Sequence, residues 1–158
     1  MGRKSTFMDR EFHRGDYDPE DVGEFEPDTV FVIMPFTGEE MHESYSAIKD
    51  ECFKLSLTAK RVDENVGSGF VIGEITKLIE DAEFIICDLT NERPNVYYEL
   101  GYAHGVGNES SDILLIAKEG TNLHFDIAPL RVQLYRSTEH LRVIVSSSLK
   151  EMMRLTRR

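Results

Sequence analysis

Asp88 and Glu99 are the side chains of this sequence best suited to chemistry. They stand in the stretch 87–107, CDLTNERPNVYYELGYAHGVG, where an apolar run ends on Asp88, a polar loop follows, and a helix opens that carries Glu99. That order sets two carboxylates at the carboxyl edge of a sheet, where open α/β folds bind ligands. Glu99 lies among Tyr97, Tyr98, Leu100, Tyr102 and Ala103, and burial in such a setting should raise its pKa unless a partner offsets it. One acid can stabilise or trap a developing positive centre while a second assists a leaving group.

Length and composition narrow what such a pair could serve. With 158 residues, 41% of them hydrophobic, the chain reads as one domain able to bury a core. Its polar, charged start shows no signal peptide, and no stretch is apolar enough to span a bilayer. Cys52 and Cys87 fall in a helical and a strand-like stretch, as reduced, packed thiols of a cytoplasmic protein do. No metal-ligand spacing appears, and nothing calls for a cofactor. The net charge of −11 argues against polymeric nucleic acid and anionic membranes, but a local basic pocket could hold a small nucleotide.

The elements that must position the acids follow from periodicity. Residues 1–28 read as an acidic, loosely docked lead, and 29–158 as a single α/β domain. Continuous apolar runs predict strands at 29–34, 59–62, 84–87, 113–117 and 132–135. Helices are expected at 39–57, with Met41, Tyr45, Ile48, Cys52 and Leu55 inward; over the stripe Ile72, Ile75 and Ile79, closing near Asp81; at 95–106; and at 141–155. This alternation implies a doubly wound, five-stranded parallel sheet with helices on both faces, in the flavodoxin-like order 2-1-3-4-5.

The switch point of that order lies between the first and third strands. Pro35, Phe36 and Thr37 leave one, and Asp88, Leu89 and Thr90 leave the other, so a ligand is expected between them, with the first turn of the 95–106 helix as an anion-friendly wall. On that helix Val96, Leu100 and Ala103 form the core stripe, and Asn95, Glu99 and Tyr102 share the adjoining face. Gly101 and Gly105 beside Tyr97 and Tyr98 suggest close packing of another helix or a partner chain, hence a homo-oligomer through this helix.

The motifs FVIMPF (31–36), RVDE (61–64), CDLT (87–90) and NVYYELGYAHG (95–105) together resemble the nucleoside 2-deoxyribosyltransferase-like and TIR-like group of nucleotide-binding domains. The resemblance implies an N-glycosidase acting on a nucleotide, nucleoside or NAD. Glu99 would attack, or stabilise charge at, the anomeric carbon; Asp88 would position the sugar or protonate the base; Met34, Pro35 and Phe36 would floor the sugar site. Where deoxyribosyltransferases carry an acid ahead of the nucleophile, this chain has Arg93, which suits a phosphate or carboxylate and so a nucleotide or dinucleotide. The alternative is a non-catalytic nucleotide-sensing TIR-like module whose output is assembly.

Simpler readings stand beside these. Asp88 could close a strand, Asn95 could be a helix N-cap, and Asp63 could hydrogen-bond a ribose hydroxyl or face solvent. Arg61 reads as a surface residue, His104 as packing or interface, and Gly67-Ser68-Gly69 as a weak match to a phosphate-cradling loop. Asp126 and Arg131 flank the fifth strand and could pair.

Overall fold

A computed structural model describes residues 25–62, 72–124, 126–127 and 130–157. Asp63, the loop 67–69 and residues 1–24 of the lead lie outside the described residues. In chain order the elements are β1 (Glu26–Ile33), α1 (Glu39–Lys54), β2 (Thr58–Lys60), α2 (Ile72–Asp81), β3 (Ala82–Asp88), a short 3-10 turn (Thr90–Glu92), α3 (Pro94–Gly105), β4 (Ile113–Lys118), β5 (Val132–Tyr135) and α4 (Thr138–Thr156).

All strands are parallel, and the sheet order is β2-β1-β3-β4-β5, as the alternating pattern predicts. β1 and β3 pair in the register Val30↔Phe84, Phe31↔Ile85, Val32↔Ile86 and Ile33↔Cys87. Successive side chains along a strand leave on opposite faces. Val30, Val32, Phe84, Ile86, Leu114 and Ile116 therefore pack under Met41, Ile48, Leu141 and Leu149 of α1 and α4. Phe31, Ile33, Ile85, Cys87 and Leu115 pack under Ile79, Val96, Leu100 and Ala103 of α2 and α3. Two apolar layers on one sheet explain why its inner strands read as unbroken hydrophobic runs.

The boundaries differ where local chemistry outweighs periodicity. α1 stops at Lys54 because Ser56 takes a left-handed φ of 60°, and the Leu57 and Ser56 N–H groups donate back to the Cys52 and Phe53 carbonyls at 2.9 and 3.0 Å, a Schellman ending. β1 starts at Glu26, inside the expected lead, because its charged residues are pinned by partners. Lys60 binds Glu26, and Arg157 at the end of α4 reaches Glu83 at 2.8 Å and Asp28 at 2.7 Å. Ser137 caps α4, accepting from the His140 N–H at 3.1 Å. No helix among the described residues is long and apolar enough to cross a membrane.

Candidate functional site at the carboxyl edge of the sheet

Parallel strands all end on one edge, so the segments after β1, β3 and β4 gather there with the starts of α1 and α3. Asp88, last residue of β3, is fully buried and holds three donors. Its Oδ1 accepts from the Thr90 N–H at 2.9 Å and the Thr90 hydroxyl at 2.6 Å, and its Oδ2 accepts from the Tyr135 hydroxyl at 2.9 Å. Thr90 Oγ1 also accepts the Lys118 N–H at 2.9 Å. Burial raises the Asp88 pKa while the Thr90 and Tyr135 hydrogen bonds oppose it, and burial, then the Asp88 charge, pushes Tyr135 up to about 12. This network ties the ends of β3, β4 and β5 together.

Glu99 occupies the other side of the sheet. It is 6% exposed on α3, and burial pushes its pKa up to about 7 against a hydrogen bond from Asn95 one turn earlier. Its neighbour is Cys87, whose thiol is raised well above the usual range by burial and by the Asp88 and Glu99 charges. Cys87 packs in the α2–α3 layer, whereas Asp88 reaches Tyr135 in the α1–α4 layer. Adjacent strand residues point oppositely, so the structure does not bring the two acids together as a pair across one cleft.

Met34 and Pro35 are buried, so the segment after β1 presents Phe36, Thr37 and Gly38, the last with φ 106°. Tyr102, expected beside Glu99, turns its hydroxyl to Glu80 on α2. Asn95 lies inside α3 rather than capping it; Pro94 opens that helix and Arg93, exposed, takes the N-cap position. Arg61 is 3% exposed, not at the surface as expected. Tyr98, Gly101 and Gly105 are exposed, and a Cβ added at either glycine would meet nothing within 4 Å. Close packing on that face is therefore absent among the described residues.

A cleft of about 440 Å³ opens one strand over from the expected switch point, between the 90–92 and 118–122 segments, with Glu40 of α1 closing it. Its walls include Glu92, Glu119 and Thr121; Lys118 pairs with Glu40, and Glu119 with Arg136 at 2.8 Å. Asn91 and Glu92 hold left-handed φ values of 65° and 43° in this wall. Tyr135, Lys118 and Glu40 escaped the sequence reading, although each stands at the end of a strand or the start of a helix on this edge. The described residues contain no His, Cys, Asp and Glu grouping able to hold a metal ion.

No protein-family model and no curated sequence matches the chain. Among solved structures it is similar to a mutant of the flavo di-iron protein from Thermotoga maritima, with TM-score 0.60 at 16% identity, over 82% of this chain and 37% of that one. A Thermotoga maritima flavoprotein gives 0.59 at 15%, again over 82% and 37%. A diflavin flavoprotein from Nostoc sp. gives 0.50 at 12%, over 82% and 92%. The chain thus spans little more than a third of the Thermotoga proteins. These likenesses establish a flavodoxin-like fold. They overturn the expected kinship with deoxyribosyltransferases and TIR domains, since the matched structures are flavoproteins. The N-glycosidase assignment and its TIR-like alternative, which rested on that kinship, fall with it.

Proposed function

We propose that this chain is a binding module for a small phosphorylated nucleotide, held at the carboxyl edge with its phosphate at the start of α3. One contrast carries the reading. Two helices begin beside the β1–β3 switch point, and each N-terminus carries a partial positive charge. At α3 Pro94 has no N–H and the Val96 N–H donates to the Arg93 carbonyl at 3.0 Å, so an anion there would meet the helix field and the Arg93 side chain rather than a row of free N–H groups. The first turn of α1 holds Glu39 and Glu40, which already satisfy that field and repel a phosphate. The first turn of α3 itself holds no acid; Glu92 just ahead of it accepts from the Tyr97 hydroxyl at 3.2 Å, and Arg93 stands at the N-cap with an exposed side chain. An arginine at a helix start is a fitting phosphate partner.

The proteins of like fold are flavoproteins, and flavodoxin-type sheets hold flavin mononucleotide at this switch point. The described residues do not fit that cofactor. A flavin phosphate at α1 would face Glu39 and Glu40, and the cleft beside it is walled by Glu40, Glu92 and Glu119 with Lys118 already engaged. Titration calorimetry with AMP, NAD and flavin mononucleotide tests the reading: saturable one-to-one binding of AMP or NAD is expected. Binding of flavin alone, or of none of the three, overturns it.

The exposed Tyr98, Gly101 and Gly105 face supports self-association through α3 as a second, independent reading. Light scattering showing a strict monomer at micromolar and higher concentration counts against it. The free, buried Cys52 and Cys87 support a reducing, cytoplasmic setting.

A further inference from the structure

The cleft between the 90–92 and 118–122 segments is of small-ligand size, about 440 Å³, and no apolar residue lines it among the described residues. A flat base would find no aromatic or aliphatic surface there to stack on. A phosphate would face the carboxylates of Glu40, Glu92 and Glu119. The hydroxyl-bearing sugar is the part of a nucleotide that such a lining matches, because ionised carboxylates only accept hydrogen bonds and hydroxyls donate them.

Each of the three acids spends one oxygen on the protein and keeps the other. Glu40 Oε1 takes Lys118, Glu92 Oε1 accepts from the Tyr97 hydroxyl at 3.2 Å, and Glu119 Oε2 accepts from Arg136 Nε at 2.8 Å. Their second oxygens, and the side-chain amides of Asn91 and Asn122, have no hydrogen bond among the described residues. The walls are pinned from below. The Lys118 N–H donates to Thr90 Oγ1 at 2.9 Å, the Thr121 hydroxyl to the Lys118 carbonyl at 2.7 Å, and the Glu119 N–H to the Tyr135 carbonyl at 2.9 Å. Acceptors held in this way lose little freedom when a ligand arrives. Glu92 also immediately precedes Arg93, the N-cap of α3, so the cleft adjoins the position proposed for the phosphate.

We propose that this cleft takes the ribose of the bound nucleotide, its 2′- and 3′-hydroxyls donating to the second carboxylate oxygens of Glu92 and Glu119, with the Asn91 and Asn122 amides beside them. The inference rests on the nucleotide reading above and adds which part of the ligand the cleft selects: a sugar that keeps both hydroxyls.

AMP and 2′,3′-dideoxy-AMP share base and phosphate and differ in those two hydroxyls. Calorimetry on the whole chain should find AMP about tenfold tighter, as loss of hydrogen bonds to a charged acceptor implies. Glu119→Ala should cut that ratio to about threefold by removing one of the two acceptors, and Glu92→Ala with Glu119→Ala should bring it close to parity. The ratio is the readout, because removing negative charge near the phosphate strengthens both probes alike. Neither acid is buried, so the variants should fold. A ratio that survives the double variant overturns the assignment of the cleft. Equal binding of the two probes by the unaltered chain overturns it too, with the phosphate reading left standing; binding of neither probe overturns both.

Discussion

Glu99→Gln should stabilise the protein at alkaline pH and do almost nothing in acid. The buried carboxyl group has a folded-state pKa of about 7 against an ordinary 4.5, set by burial and only partly offset by Asn95. Each tenfold change in proton affinity is worth about 1.4 kcal/mol, so the rise amounts to about 3 kcal/mol. The folded state binds the proton more tightly than the unfolded one. Its stabilising contribution is therefore complete below pH 4.5 and is lost as pH rises through about 7. Glutamine keeps the shape and the hydrogen bond to Asn95 without the charge. Urea unfolding of both proteins should show near-equal stability around pH 4.5, and the variant should be ahead by about 3 kcal/mol near pH 8. A stability difference that stays constant between those pH values would refute the assignment of a desolvated, titrating Glu99.

Asp88→Ala should cost about 3 kcal/mol whatever the ligand, because the Thr90 N–H is left without its acceptor inside the protein while the Thr90 and Tyr135 hydroxyls, 3.2 Å apart, pair with each other; an unchanged Tm would show the network to be idle. Gly101→Ala and Gly105→Ala should each stabilise the isolated chain by about 0.5–1 kcal/mol, since the added methyl meets open space. If α3 packs closely against a second copy, the same changes should weaken self-association in sedimentation, and unaltered assembly would remove that interface.

Much of the architecture was legible because a sheet covered on both faces leaves a strong mark. The runs at 30–34 and 84–87 are apolar at every position, and the helical stripes Met41, Tyr45, Ile48 and Val96, Leu100, Ala103 repeat at three and four. The same double coverage hid the site. When both faces are apolar, nothing in the pattern says that Cys87 points towards Glu99 and Asp88 away from it, so two acids at one edge read as a pair. In the sequence α1 runs on to Leu57 because Ser56, not glycine, takes the left-handed position that ends it. Arg61 reads as a surface residue in the sequence because its aromatic partners, Phe36 and Tyr45, are remote along the chain.

The central claim is that the start of α3, not that of α1, receives the anion. Calorimetric titration of AMP into the unaltered chain, Arg93→Ala and the double variant Glu39→Gln with Glu40→Gln tests it most directly. Loss of the Arg93 guanidinium at the α3 N-cap should weaken AMP about tenfold, as removal of a charge-assisted hydrogen bond does, and should flatten the dependence on salt. Removing the two α1 carboxylates should change affinity far less. Affinity indifferent to Arg93→Ala, or altered chiefly by the α1 pair, would contradict the account.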